Sequence, residues 1–217
     1  MGSINLRRPI AVHDTAARHG YRRPMIEGCH VEGYAIVSVE GMIANAVGVM
    51  PEAIRNNADQ RFLQSELDRA AVIVHGRHSH EGGPRAAQRK RVILTRQVPS
   101  LCDDPAHPHS ILWNPAGTTF EAALSRLGVT DGLIAILGGT EVFDLFLSLY
   151  DAFYLTRALH AKIPVGRPVF SQVGIHKTPE DVLAGAGLNP GRRQDLDAAG
   201  AITLTTWTRT EASTAAP

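Results

Sequence analysis

Two glycines stand where an apolar run meets a segment that favours a helix. Residues 133–137 are wholly apolar, Gly138 and Gly139 follow at once, and a helix is predicted over residues 140–149. Glycine lets the backbone approach a ligand closely, and the free N–H groups of a helix start attract a phosphate. This junction therefore predicts a phosphate site, although a tight strand-to-helix turn explains the same pattern.

A second glycine is followed by side chains that bind phosphates. A strand candidate at residues 70–74 is followed by His75 and Gly76, and Arg77, His78 and Ser79 come next. Arginine offers a planar fork of donors to a phosphate, and serine adds a hydroxyl. The alternative is a solvated basic loop.

A third strand candidate, residues 92–94, ends in the hydroxyl of Thr95 and the guanidinium of Arg96. Three strand ends of this kind suit an extended diphosphate ligand at the carboxyl edge of an α/β sheet. An additional cation near one end suits a 2′-phosphate, which predicts NADP rather than NAD.

The elements that must position these residues alternate between strands and helices. Strands are predicted at residues 34–39, 70–74, 91–95, 111–113, 133–137, 152–156, 168–170 and 201–207. Helices are predicted at residues 58–69, 119–127 and 140–149. Residues 174–200 are predicted as a long excursion with a short helix near residues 179–184. The alternation predicts an α/β fold whose mostly parallel sheet is covered on both faces.

Capping residues support the second predicted helix. Thr118 or Thr119 can cap its start, and Gly128 stands where a left-handed residue ends a helix.

Composition sets the class of protein. The chain has 217 residues, 44% hydrophobic and 20% charged, and a formal net charge of +1. These values predict a globular protein whose main partner is neither nucleic acid nor a membrane. Cys29 and Cys102 lack CxxC spacing, which predicts a reduced, cytoplasmic protein, with one disulfide as the alternative. We expect an arm at residues 1–30, one domain at 31–210 and a frayed tail at 211–217.

The chain contains ten histidines, so a metal site must be considered. His75, His78 and His80 are close in sequence, as are His107 and His109. A metal needs three or four converging ligands. The first group is better explained by the phosphate loop and the second by a solvated loop, so no metal is predicted.

The segments "VIVHGRHSHEG…KRVILTRQ" and "IAILGGTEVFDLFLSLYDAFYLTRA" resemble the dihydrofolate reductase superfamily in order, spacing and residue type. The resemblance covers about residues 34–173. It implies a dihydrofolate-reductase-like α/β fold: a predominantly parallel, eight-stranded sheet with an antiparallel edge hairpin and helices on both faces. It also implies NADPH across the carboxyl ends of the strands, and a homodimer is common in the superfamily.

The resemblance implies a set of cofactor-binding residues. Gly76, Arg77, His78 and Ser79 match the positions that hold the cofactor phosphates. Leu94, Thr95 and Arg96 would flank the adenine and the 2′-phosphate. The remaining positions would line the pyrophosphate and nicotinamide: Ile43, Ala44, Gly138, Gly139, Thr140, Glu141 and Val142.

The resemblance also implies an acid for catalysis. Asp59 falls where the folate enzymes carry the carboxylate that supports protonation of the pterin, and Thr156 matches the threonine that reaches this acid. A carboxylate in a partly apolar pocket has a raised pKa and can manage a proton. The alternative for Asp59 is an ordinary helix-start residue, and Glu52 is the second candidate for the acid.

The sequence departs from the folate enzymes in the loop over the nicotinamide. Residues 45–52 lack the usual Pro-Trp, and Phe143 stands where tyrosine is common. "SVEGMIA", residues 38–44, is closer to the "SLDGKIA" of the riboflavin-pathway reductase domain, and no zinc-deaminase signature is present. We expect an NADPH-dependent reductase acting on a pterin- or pyrimidine-like heterocycle, with a non-catalytic nucleotide-binding module as the alternative.

Overall fold

The computed structural model describes residues 26–79 and 82–209. The helices are α1 (Asn57–Leu67), α2 (Phe120–Arg126), α3 (Thr140–Leu145) and α4 (Pro179–Gly185). The strands are β1 (Cys29–Val37), β2 (Met42–Asn45), β3 (Ala70–Gly76), β4 (Arg91–Leu94), β5 (Leu101–Asp103), β6 (Ser110–Trp113), β7 (Gly132–Ile136), β8 (Ala152–Ala158), β9 (Gly166–Pro168), β10 (Leu188–Asp195) and β11 (Ile202–Arg209).

Nine of these strands form one sheet, in the order β10-β11-β8-β1-β7-β3-β4-β6-β5. The six central strands from β8 to β6 are mutually parallel. At one edge, β11 is antiparallel to β8 and to β10, and at the other, β5 is antiparallel to β6. The predicted α/β class and predominantly parallel sheet with an antiparallel edge are confirmed. The sheet has nine strands rather than eight.

The central strands are buried because helices cover both faces of the sheet. In β3, Val72 and Val74 face one hydrophobic cluster and Ile73 faces another, as the alternation of side chains along a strand requires. Helices α2, α3 and α4 contribute to the first cluster, and Leu67 of α1 contributes to the second. Burial of each such aliphatic side chain stabilises the fold by roughly 1.5–3 kcal/mol.

Local signals set the helix ends much as predicted. Thr119 caps α2 by accepting a hydrogen bond from the N–H of Ala122 at 3.3 Å, and Gly128 has a φ of +61° after its end. Asn56 caps α1 through the N–H of Ala58 at 2.7 Å. Each cap satisfies N–H groups that have no partner within the helix.

The structure corrects three predicted elements. The strand predicted at residues 168–170 is β9, Gly166–Pro168, which pairs with β2 outside the nine-stranded sheet. Helix α3 ends at Leu145 rather than near Leu149, because Phe146 leaves helical geometry and turns the chain toward β8. The predicted excursion over residues 174–200 contains strand β10. Its sequence, LNPGRRQD, carries no apolar alternation, and it forms a strand because β11 pairs with it along an exposed edge.

The chain ends lie mostly outside the described residues. The predicted arm at residues 1–30 is described only from Ile26, and Cys29 and His30 already pair with β7 in the sheet. The predicted tail at residues 211–217 is not described. In the part of the chain that the structure describes, no helix is long and apolar enough to cross a membrane. Cys29 and Cys102 are both free thiols.

Candidate active site

A large cavity lies at the carboxyl ends of the parallel strands. Its volume is about 1430 Å³. Both predicted catalytic residues, Asp59 and Thr156, line it. So do thirteen of the fourteen predicted cofactor residues: Ile43, Ala44, Gly76, Arg77, His78, Ser79, Leu94, Thr95, Arg96, Gly139, Thr140, Glu141 and Val142. The fold thus brings residues from distant parts of the chain around one space.

Backbone hydrogen bonds connect the three strand ends that the sequence singled out. The N–H of Gly76 donates to the carbonyl of Gly138 at 2.7 Å, and the N–H of Arg77 donates to the carbonyl of Leu94 at 3.2 Å. The end of β3 is therefore held between the ends of β7 and β4. These two hydrogen bonds set the relative positions of the turns that follow β3, β4 and β7.

Gly138 has a structural role in this turn. It is the one predicted cofactor residue that does not line the cavity, and its φ is +86°. A Cβ at this position would lie 2.3 Å from the ring of Phe143, which is fully buried. The Gly138–Gly139 peptide bond is cis. The positive φ and the close approach of Phe143 require glycine at position 138, independently of any ligand in the cavity.

Gly76 and Gly139 differ from Gly138, because the protein does not require glycine at either position. A Cβ at Gly76 would meet its nearest atom, on Val142, at 3.6 Å, and a Cβ at Gly139 would meet Ile43 at 3.7 Å. Both are ordinary contacts, and neither φ is in the left-handed region. Both glycines line the cavity, so a ligand can approach the backbone closely at these two positions.

The residues after Gly139 are held by different partners. The Thr140 hydroxyl donates to the carbonyl of Pro168 in β9, so it anchors the small β2–β9 sheet beside the cavity. Val142 is buried in the core. Glu141 accepts a hydrogen bond from Arg96 at 2.7 Å, and both side chains are exposed. Helix α3 has only six residues, so the expected dipole at its start is weaker than that of the predicted ten-residue helix.

The turns after β3 and β4 contribute polar and cationic side chains to the cavity lining. The guanidinium of Arg77 is exposed and lies 3.1 Å from Nε2 of His78. Thr95 is buried, and its hydroxyl accepts a hydrogen bond from the N–H of Gln97 at 3.2 Å. Arg77 and Arg96 are thus cations on the turns that follow two adjacent strands, β3 and β4.

Asp59 lies half-buried in the first turn of α1, where it lines the cavity. Burial raises the pKa of its carboxyl, and a hydrogen bond with the side chain of Thr156 partly offsets the shift. Thr156, on β8, is itself buried. Glu52 is not in the cavity lining: its side chain is 87% exposed and lies 3.6 Å from Arg55. The geometry therefore favours Asp59 over Glu52 as the acid.

Besides Phe143, three aromatic side chains that were not predicted as site residues line the cavity. Tyr34 and Tyr154 stack with ring centroids 4.9 Å apart, and Phe62 of α1 is tilted against both rings. The Tyr34 hydroxyl donates to the buried carboxylate of Glu32, and burial raises the pKa of Tyr34. Tyr34 and Tyr154 are opposite each other in the register of β1 and β8. Because that register is not visible in the sequence, no sequence signal pointed to this aromatic group.

The loop after β2 covers part of the cavity with apolar side chains. Val47, Val49 and Met50 are exposed and line the cavity. The side-chain oxygen Oδ1 of Asn45 shapes the loop by accepting hydrogen bonds from the N–H groups of Val47 and Val49, at 3.1 and 3.0 Å. Arg167 of β9 lies against Gly48 and also lines the cavity.

Metal ligands do not gather at this site. Within residues 26–79 and 82–209, no three His, Cys, Asp or Glu side chains are placed to hold a metal ion together.

Comparison with known proteins gives structural likenesses only. No protein-family model matches the sequence, and no curated protein matches it. Solved structures do match. One, from Shewanella sp. PV-4, is described as a riboflavin biosynthesis protein; it is 18% identical, with 83% of this chain and 99% of that chain covered, at a TM-score of 0.56.

Dihydrofolate reductase from Enterococcus faecalis, solved in complex with NADP(H), is 15% identical, with 84% of this chain and 97% of that chain covered, at a TM-score of 0.56. A Thermotoga maritima diaminohydroxyphosphoribosylaminopyrimidine deaminase/5-amino-6-(5-phosphoribosylamino)uracil reductase is 16% identical, with 87% of this chain and 57% of that chain covered, at a TM-score of 0.56.

These likenesses, with the sheet order and the position of the cavity, define the class of structure. The chain has the dihydrofolate-reductase-like fold.

Proposed function

We propose that this protein is a reductase that uses NADPH to reduce a pterin- or pyrimidine-like heterocycle. The observation that carries the proposal is the convergence, in one cavity, of a half-buried acid, Asp59, with two glycines, Gly76 and Gly139, that the protein itself does not need. Two of the three structural neighbours are named as reductases, and one of them was solved with NADP(H).

The size of the cavity suits two ligands. Sites for a single small molecule measure roughly 300–1,000 Å³. A volume of about 1430 Å³ exceeds that range, as expected where a dinucleotide and a heterocycle lie side by side.

The residues present fit a dinucleotide phosphate. Gly76 and Gly139 leave room for close approach to the backbone, and Arg77 and Arg96 supply positive charge on adjacent turns. Arg77, His78 and Ser79 would hold the phosphates, and Ile43 and Ala44 on β2 would pack against the nicotinamide. When bound, NADPH supplies the hydride, and the protein supplies orientation and electrostatics.

Asp59 would manage the proton that accompanies hydride transfer. Its raised pKa keeps a larger fraction of the carboxyl protonated near neutral pH than an exposed aspartate would have. Thr156 would fix the orientation of the carboxyl through the hydrogen bond between the two side chains. Tyr34, Phe62 and Tyr154 would form an apolar wall close to the heterocycle and exclude water.

A non-catalytic nucleotide-binding module is the second candidate, because a fold does not fix a function. For such a module, Asp59 would be expected to face solvent rather than the cavity. The presence of Asp59 in the cavity lining supports the reductase instead. The predicted homodimer and cytoplasmic location stay predictions.

The test is a titration of the purified protein with NADPH, followed by an assay of NADPH oxidation on the same sample. Dihydrofolate and 5-amino-6-(5-phosphoribosylamino)uracil represent the pterin and the pyrimidine class. Binding with oxidation in either assay supports the reductase. Binding without oxidation favours the nucleotide-binding module, and no binding overturns the cofactor assignment.

A further inference from the structure

Arg96 and Glu141 form an ion pair at the rim of the cavity. Nη2 of Arg96, in the turn after β4, lies 2.7 Å from Oε2 of Glu141, in the first turn of α3. The two side chains are 71% and 65% exposed, and both residues line the cavity. The pair places Glu141 beside Arg96, the residue assigned to the 2′-phosphate, although the resemblance implied a position along the pyrophosphate and nicotinamide.

The position of the pair matters more for a ligand than for folding. An ion pair exposed on both sides contributes little to stability, because water screens it and two long side chains must be ordered. Breaking the pair therefore has little effect on the stability of the fold. A charged ligand at this rim would meet a cation whose nearest partner is a carboxylate.

We propose that Glu141 determines cofactor selectivity by competing with the 2′-phosphate of NADPH for Arg96. This inference rests on the proposed function. A phosphate that binds Arg96 must displace the Glu141 carboxylate and then remain close to it, where like charges repel. A ribose 2′-hydroxyl carries no charge and can donate a hydrogen bond to a carboxylate, as in sites that select NAD. Glu141 therefore narrows the preference for NADPH over NADH that Arg77 and Arg96 create.

The experiment measures dissociation constants of NADPH and NADH for the wild type and for Glu141→Gln by calorimetry. Removal of one negative charge beside a phosphate should tighten NADPH binding about fivefold to tenfold at low salt. NADH binding should weaken or change less than about twofold. The gain for NADPH should shrink as salt is raised, since screening weakens charge–charge repulsion at an exposed site.

Two further ligands test whether the gain in affinity comes from the adenosine half of NADPH. Adenosine 2′,5′-bisphosphate should gain as much as NADPH does in Glu141→Gln, and adenosine 5′-monophosphate should not. Compared with Arg96→Met alone, the double variant Arg96→Met with Glu141→Gln should gain less NADPH affinity than Glu141→Gln gains over the wild type, because without Arg96 only the direct repulsion between Glu141 and the phosphate is removed.

The matched control is Asp103→Asn. Asp103 pairs with Arg126 at the same distance, 2.7 Å, with exposures of 68% and 58%, but neither residue lines the cavity. This change should leave both dissociation constants unaltered.

The possible failures are distinguishable. If neither NADPH nor NADH binds the wild type, the proposed function fails. If both bind but Glu141→Gln changes their affinities equally or not at all, the role of Glu141 is overturned while the reductase assignment stands.

Discussion

The side chain of Thr156 interacts with the carboxyl of Asp59 at the edge of the cavity, although Asp59 lies in the first turn of α1 and Thr156 in the middle of β8. Thr156 is buried and Asp59 is half-buried. The contact connects the helix that covers one sheet face to a central strand. It also places a carboxyl of raised pKa beside the space proposed for the heterocycle.

Asp59→Asn should lower turnover about 10²-fold to 10⁴-fold, because the amide cannot deliver a proton. NADPH affinity should change less than about twofold, since Asp59 is assigned to the substrate rather than to the cofactor. The measurement is the rate of NADPH oxidation together with a cofactor titration. Glu52→Gln, an exposed carboxylate outside the cavity, is the control and should keep full activity. Full turnover in Asp59→Asn would remove Asp59 from the mechanism.

Asp59→Asn should also stabilise the fold at neutral pH. The pKa of Asp59 is raised in the folded protein. Protonation of Asp59 therefore adds to the free energy of unfolding: the addition is complete below the unfolded pKa of about 3.9 and is lost as pH rises through the folded pKa. Asparagine does not titrate, so the melting-temperature gain should be smallest near pH 3.5, widen as pH rises and then become constant. Melting temperatures of the wild type and Asp59→Asn, measured from about pH 3.5 to neutral pH, test this prediction. A gain that narrows with rising pH would contradict a raised pKa.

Arg77→Ala should weaken NADPH binding about tenfold or more and NADH binding much less, because only NADPH carries the additional phosphate. Titrations with both nucleotides measure the two losses. Arg126→Ala removes another exposed arginine, which does not line the cavity, and should change the affinity for neither nucleotide. Equal losses for the two nucleotides would show that Arg77 does not distinguish them.

Gly138→Ala should destabilise the fold by more than about 2 kcal/mol, because its Cβ would collide with the buried Phe143 ring at a positive φ. Chemical denaturation measures the loss. Gly185→Ala is the matched control: it ends α4, has open space around the new Cβ, and should be neutral or stabilising by up to about 1 kcal/mol. Similar stability of the two variants would mean that the turn adjusts without cost.

Gly76→Ala should leave stability nearly unchanged but weaken NADPH binding about tenfold. The methyl group makes only ordinary contacts within the protein, yet it enters the space proposed for the cofactor phosphates. Denaturation and NADPH titration on the same sample separate the two effects. Unchanged NADPH affinity would mean that this wall of the cavity is not in contact with the cofactor.

The sequence predicted the central part of the fold well because its signals are local. The apolar runs of β3 and β7, the cap at Thr119 and the left-handed Gly128 each depend on a few neighbouring residues. Strand β10 could not be predicted in this way. Its polar sequence becomes a strand only because β11 supplies hydrogen-bonding partners.

The candidate site likewise combines features that are local in the sequence with features that depend on long-range contacts. That glycine, arginine and hydroxyl residues follow three buried strands can be read from consecutive residues, because strand length and turn chemistry are local. Three relationships became visible only in the folded chain: Gly138 supports the turn, Gly76 and Gly139 line the cavity, and Arg96 is paired with Glu141. These relationships depend on strand order and register, which bring together residues that are distant in the chain, and no local pattern of residues specifies them.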